Sequence, residues 1–167
     1  LAIPFKYKPG THFVYNNVGP YLAGILVQRR SGCDLVSYLT PRLFTHLGIK
    51  RPTWETDPLG NSFGAGGLFL TLSELHKFGL FYLNKGSWNG KQILSEKWME
   101  ESTSASDTDD YGYLFWRGEH NSFRADGKYS QITMVLPEKN AVVSLVAECR
   151  KGEELMRALY DLVCAKI

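Results

Sequence analysis

Tyr15, Asn16 and Asn17 stand together in the stretch HFVYNN, residues 12 to 17, directly before the run VGPYLAGILVQRR. Asparagine ahead of a helix is an ordinary cap, because its side-chain oxygen accepts from the unpaired N–H groups of the first turn. One asparagine suffices for that, so the second asparagine and the tyrosine invite a chemical reading. A phenol titrates near about pH 10 and serves as a base only where neighbouring cations favour its phenolate or relay its proton. Two readings stay open for Tyr15: a half-buried ring satisfied locally, or a base whose partners come from elsewhere in the fold.

Other reactive side chains give less. His12, His46, His76 and His120 show no metal-ligand spacing, so no metal is expected, and no cofactor motif accompanies them. Asp107, Asp109 and Asp110 read as a solvated loop, since they lack the ligand alternation of a calcium-binding loop. Ser73 belongs to TLSE, a capping box, and reads as a first-turn residue. Trp54, Trp88, Trp98 and Trp116 read as core or cleft-wall residues, Trp116 being the one placed for substrate contact.

The elements that must position these residues follow from periodicity and punctuation. Val18, Tyr21, Leu22, Ile25 and Leu26 share a helical face, and Gly32 supplies the left-handed stop. Asp34 caps a second helix, and PRLFTHL forms a third, with Pro41 in its first turn and Gly48 closing it. A loop over 49–64 leads to a glycine-rich stretch and then to a helix from the capping box through about Leu83. Asn89-Gly90 predicts a tight hairpin, and SEKWMEES a short capped helix. From Tyr111 the pattern turns to strands, YGYLFWR, SFRA, YSQITMVL and AVVSLVAE, with turns at GEHN and PEKN. A closing amphipathic helix places Leu155, Met156, Leu159, Leu162 and Val163 on one face. Helices, then an antiparallel meander, then a covering helix make the fold class α+β. The other face of the sheet also needs a cover, and the sequence leaves open whether the first half of the chain supplies it.

Composition narrows the function classes. The 167 residues fit one domain, and 44% hydrophobic with 22% charged residues is ordinary for a globular protein. A net charge of +2 with scattered basic residues argues against nucleic acid. No apolar run approaches the ~18 residues of a membrane span. Cys33, Cys149 and Cys164 are odd in number and read as buried free thiols, which points to a reducing, cytoplasmic compartment.

Taken in order, PGTHFVYNNVGPYLAGILVQRRSG, LFTHLGI, GAGGLFLTLSELHKFGLFYLNKGSWNGKQILSEKW, YGYLFW and ADGKYSQ…LPEKN resemble the serine β-lactamase and penicillin-binding-protein-like hydrolases, in the class C-like branch that includes esterases and amidases. The resemblance implies the α+β fold of that superfamily, with its active site between a helical region and an antiparallel sheet. It implies a Ser-x-x-Lys nucleophile, proton work shared by that lysine and the tyrosine of Tyr-x-Asn, an asparagine that holds the substrate amide or the lysine, and a third motif, usually Lys-Thr-Gly or a His-containing variant, whose glycine precedes an oxyanion-hole N–H. Tyr15 and Asn17 match Tyr-x-Asn. Gly127 matches the third glycine, with Lys128 supplying the N–H, and Trp116, Tyr129, Ser130 and Gln131 line the substrate side.

Three departures shape the expectation. No serine is followed three places later by lysine; SELHK comes nearest, one place off, which turns that lysine about 100° around the helix. The third motif begins with Ala125 instead of a cation, and Arg124 faces the opposite side of the strand, which disfavours a β-lactam carboxylate. Lys128 is balanced between swinging into the cleft and standing as a solvated turn charge. Ser130 stands where relatives carry glycine, and two outcomes are open for its hydroxymethyl at a tight strand start: little cost, or a narrower cleft. The sequence begins at Leu1, only fourteen residues before Tyr15, so residues 1–167 are expected to form a partial domain. Residues 1–102 make its helical part, and 111–167 make strands plus a terminal helix. The expected function is the C-terminal part of a serine hydrolase acting on a small-molecule or peptide substrate once joined to a nucleophile-bearing part. The alternative is a non-catalytic binding module of the same fold, and either would expose surface that favours self-association.

Overall fold

The computed structural model describes residues 4–105 and 110–167. Asp107 and Asp109 of the acidic loop lie outside the described residues. Helix α1 spans Val18–Ser31 and ends at Gly32, whose φ of 73° lets its N–H reach the Gln28 carbonyl. Helix α2 (Leu35–Leu39) starts at Asp34, whose carboxylate accepts from the Ser37 N–H. The expected separate helix at PRLFTHL is instead a continuation. Pro41 brings no N–H, and the chain passes through a π-helical turn (Thr40–Phe44) into one α-turn, α3 (Thr45–Leu47).

The loop that follows contains a small pairing, β1 (Thr53–Trp54) with β2 (Leu68–Phe69). Helix α4 (Leu72–Leu83) opens with the full capping box of Thr71 and Glu74. Asn89 and Gly90, both at positive φ, turn the hairpin of β3 (Ser87–Trp88) and β4 (Lys91–Gln92). Helix α5 (Glu96–Thr103) is capped by Ser95. Four strands then form one antiparallel sheet in sequence order: β5 (Trp116–Arg117), β6 (Phe123–Gly127), β7 (Gln131–Leu136) and β8 (Ala141–Leu145). Helix α6 (Gly152–Leu162) closes the fold.

Strand β7 is buried on both faces, as a central strand must be. Ile132, Met134 and Leu136 pack beneath α6 with Leu159 and Cys164. Val135 faces the other way, with Phe115, Phe123 and the α4 residues Phe78 and Tyr82. Helix α4 is therefore the cover of the second face. It also sends Phe81 into the helical core of Phe44, Leu47, Ile49 and Met99.

Some expectations needed correction. YGYLFWR is a strand only at its end, because Leu114 adopts φ 67° and breaks the extended run. On α6 the apolar face runs through Met156 and Leu159, joined by Cys164 of the 3₁₀ turn that follows, whereas Leu162 and Val163 are exposed. Val18 and Leu26 of α1 are likewise exposed, its buried residues being Gly24 and Gln28. Of the cysteines, all free, Cys164 is buried while Cys33 and Cys149 are only half-buried. No helix among the described residues is long and apolar enough to cross a membrane.

The contact of α4 with the sheet is close. A Cβ added at Gly79 would lie 2.5 Å from Thr133 Oγ1 and 2.6 Å from Val142 Cγ1. Gly79→Ala is expected to lower unfolding stability by about 2 kcal/mol through overpacking, against a gain of up to about 1 kcal/mol when glycine is replaced in an unhindered helix. Urea denaturation checks it, and an unchanged or raised midpoint would contradict the packing.

Candidate active site

Residues 12–17 run without regular structure into α1, and the two asparagines divide the work there. Asn16 is the capping residue: its Oδ1 accepts from the Gly19 N–H at 3.0 Å, and its Nδ2 donates to the Val14 carbonyl at 2.9 Å. Asn17, at the N-cap position itself, uses only its carbonyl, which accepts from the Tyr21 N–H. Its side chain makes no capping bond and stands exposed.

Tyr15 does not bury its ring on α1. The ring is 56% exposed, stacks on Trp116 (centroids 5.5 Å, interplanar 23°) and meets Tyr111 edge-on at 6.0 Å. Phe13 joins both partners, at 5.1 Å from Tyr111 and 6.3 Å from Trp116. Burial, and then the neighbouring Tyr15, push the Tyr111 phenol above its ordinary value. No hydrogen bond to the Tyr15 hydroxyl occurs among the described residues.

Trp116 pairs with Arg124 across β5 and β6, and Gly127 ends β6 three residues further on, about 10 Å along the strand. Because β5 is two residues long, the outer edge of β6 from Ala125 to Gly127 has no strand neighbour among the described residues. Arg124 and Asp126 point to the α6 side, joined by an ion pair at 3.0 Å. Ala125 shares the α4 side with Phe123.

The Gly127–Gln131 turn is tightly built. The Ser130 N–H closes on the Gly127 carbonyl, with Tyr129 at φ 62° and Ser130 at φ 70°. A left-handed φ at residue 130 is the physical reason a glycine suits that place. The Ser130 side chain is nearly buried and its hydroxyl donates to the Cys149 carbonyl at 3.4 Å, so the hydroxymethyl turns toward the start of α6. Gln131 commits its amide to the Ala147 carbonyl. The Lys128 ammonium rests 4.8 Å above the Tyr129 ring, which Arg150 also approaches at 5.6 Å.

The structure thus gathers Tyr15 with Trp116, and Gly127 through Gln131 with one another. No hydrogen bond or ring contact among the described residues joins the two groups. Sequence reasoning missed Phe13, Tyr111 and Arg150; only the aromatic density of HFVY and YGYLFW hinted at the first two. It also missed the clamp that fixes α1. Gln28, buried, accepts from the Ser62 N–H at 2.8 Å and donates to the Ser62 carbonyl at 3.2 Å. Gly24 and Gly64 approach so closely that a Cβ on either meets the other's Cα at 3.0 Å. The Tyr21 hydroxyl donates to Asp57 at 2.6 Å, and Asn61 and the Leu59 N–H also donate to that carboxylate.

Comparison with known proteins adds four findings. The sequence profile described as Beta-lactamase matches residues 1–164. An N-acetylmuramyl-L-alanine amidase of Bacillus subtilis is 22% identical, over 86% of this chain and 46% of the relative. Among solved structures, a 6-aminohexanoate-dimer hydrolase from Bacillus anthracis superposes with a TM-score of 0.81 at 21% identity, covering 92% of this chain and 44% of that one. A beta-lactamase from Mycobacterium bovis gives 0.76 at 22% identity, covering 96% and 66%. The chain spans less than half the length of the first two.

The clamp makes a testable statement about pH. The bond from Tyr21, then that from Asn61, holds the Asp57 carboxyl down at about 2. A depressed folded value means that its contribution is complete above the ordinary carboxylate range and is lost as pH falls through about 2. Tyr21→Phe is expected to shift the Asp57 titration upward toward that range, read by carboxyl carbon NMR. An unmoved titration would mean the phenol does not hold the carboxylate.

Proposed function

The chain belongs to the beta-lactamase family, and on that premise we propose that it carries the base and oxyanion half of a serine acyl-transfer site. In this reading the nucleophile lies in a Ser-x-x-Lys segment outside residues 1–167. The serine oxygen attacks an ester, amide or peptide carbonyl while its proton passes to Tyr15. The Lys128 N–H, following Gly127, stabilises the oxyanion, a contribution of about 3 kcal/mol for one fixed donor. Tyr15 then returns the proton to the leaving alcohol or amine, and water releases the acyl group by the reverse relay. Asn17 holds the substrate amide, Trp116 and Tyr129 form walls, and Ser130 and Gln131 support the turn.

The observation that carries this reading is the state of Tyr15: exposed, unbonded among the described residues, and stacked on the strand beside β6. A core tyrosine would have buried its ring and satisfied its hydroxyl. Ala125 at the head of the third motif favours an ester, amide or peptide over a β-lactam carboxylate. The second reading, a binding module without catalysis, draws on the missing Ser-x-x-Lys alone.

Residues 1–167 by themselves are expected to form no stoichiometric adduct with a fluorophosphonate or a fluorescent penicillin. Joined to a Ser-x-x-Lys segment, they are expected to acylate, with Tyr15→Phe slowing the step by at least about 100-fold. An adduct on a serine of residues 1–167, or full-rate acylation by Tyr15→Phe, would sink the assignment; failure to acylate in the joined protein would favour the binding module.

The sheet ends at β8, whose outer edge has no strand partner among the described residues and whose sequence AVVSL carries no charge. We expect residues 1–167 to self-associate through it. Sedimentation velocity is expected to show a species larger than a monomer, which Val146→Lys, at an exposed position beside the strand, shifts toward monomer. A monomer at all concentrations would refute the expectation.

A further inference from the structure

A groove between the C-terminal half of α1 and the π-helical turn shares no residue with the proposed site. Its volume is about 430 Å³, within the range of small-molecule sites. Leu26, Val27 and Tyr38 make its apolar surface, and Arg30, Arg42 and Cys33 border it. Leu26 is 62% exposed there, because the packed line of α1 runs through Gly24 and Gln28 instead.

The two guanidiniums are what give the groove chemistry. Arg42 stacks 4.1 Å above the Tyr38 ring and donates from Nη1 to the Tyr38 carbonyl at 2.9 Å, which orients its plane and leaves its other donors without a partner among the described residues. It sits in the π-helical turn, a distortion found often at functional positions. Arg30 comes from the last turn of α1. Neither forms an ion pair among the described residues. Residues 18–54 hold five cations, Arg29, Arg30, Arg42, Lys50 and Arg51, against one acid. That acid, Asp34, is engaged by the Ser37 N–H at 2.9 Å and the Ser37 hydroxyl at 2.6 Å.

We propose that this groove binds an amphiphilic anion: a carboxylate or phosphate monoester bearing a short hydrocarbon chain. The head is held by Arg30 and Arg42, whose planar forks match either oxyanion, and the chain lies over Leu26, Val27 and the Tyr38 ring. Head and chain are both required. An exposed guanidinium pair holds a bare anion weakly against water, and the apolar strip alone is too open to retain a neutral chain.

Cys33, half-buried at the rim, reports occupancy, and half-buried Cys149, on the sheet side, is the internal control. Maleimide alkylation of each thiol is followed with decanoate, decyl phosphate, decanol or inorganic phosphate present. Decanoate, decyl phosphate or both are expected to slow Cys33 saturably while leaving Cys149 unchanged, and their ranking identifies the head. Decanol and inorganic phosphate are expected to give little protection. Arg30→Gln and Arg42→Gln are each expected to raise the half-protecting concentration about tenfold, the loss of one charge-assisted bond. Equal protection by decanol, equal protection of both thiols, protection by neither anionic amphiphile, or unchanged protection in both variants would overturn the proposal. If Arg42→Gln disturbs the turn by circular dichroism, Arg30→Gln, at an exposed helix end, decides the matter.

Discussion

The close seating of α4 on the sheet is the contact from which the other relationships in this fold derive. Gly79 lets the helix backbone come down onto Thr133 and Val142 without a side chain between them. That approach brings Phe78 and Tyr82 into the layer with Phe115, Phe123 and Val135, while Phe81 fills the helical core from the same helix. One element thus belongs to two cores. Beneath it a short polar chain, His76 to Ser144 at 3.1 Å and Ser144 to Thr133 at 2.8 Å, satisfies the hydroxyls that this burial would otherwise strand. A helix held at a larger separation would leave those groups and the apolar face of β7 half-wetted.

The position of Tyr15 depends on a second, more polar fixture. The segment carrying it has no regular structure, so its placement rests on α1 behind it and on the rings in front. Behind it, α1 is locked to the 55–67 loop by the Gln28–Ser62 pair, the Gly24–Gly64 contact and the Tyr21–Asp57 bond. In front, Trp116 and Tyr111 hold the ring face and edge. The hydroxyl is left out of both sets. The ring is thus fixed by packing, while its oxygen has no hydrogen bond among the described residues.

Local signals in the chain were legible where the side chain acts on its own backbone. Thr71 with Glu74, Asp34, Ser95 and Asn89-Gly90 each read correctly because a cap or turn needs only its neighbours. The helical faces of α1 and α6 read less well. Periodicity marks Leu26 and Leu162 as apolar, but what lies opposite them is decided by distant segments, and nothing among the described residues covers either. The clamp was hidden for the same reason: Gln28 and Ser62 are ordinary surface types until the fold buries them together. Tyr15, Asn17 and Gly127 are proposed as site residues only through the ordered family motifs, since no local property of a tyrosine before a capped helix distinguishes a base from a packed ring. Ser130 is the instructive middle case. Its family place left open a narrowed cleft or little effect, and the left-handed φ and the bond to Cys149 turn the side chain toward the start of α6.

The two edges of the sheet differ in a way that bears on what each is for. Along β6 the free stretch from Ala125 to Gly127 is short, interrupted by the charge of Asp126 and bounded by Lys128. Charge and brevity are what keep an exposed edge from recruiting other strands. Such an edge can stand open in water and still offer backbone donors and acceptors to an extended ligand laid beside it. The β8 edge has the opposite character: five uncharged residues followed by Val146 and Ala147, with the first charge at Glu148. An edge of that kind is expensive to leave unpaired. The first edge therefore resists the addition of another strand, and the second invites it.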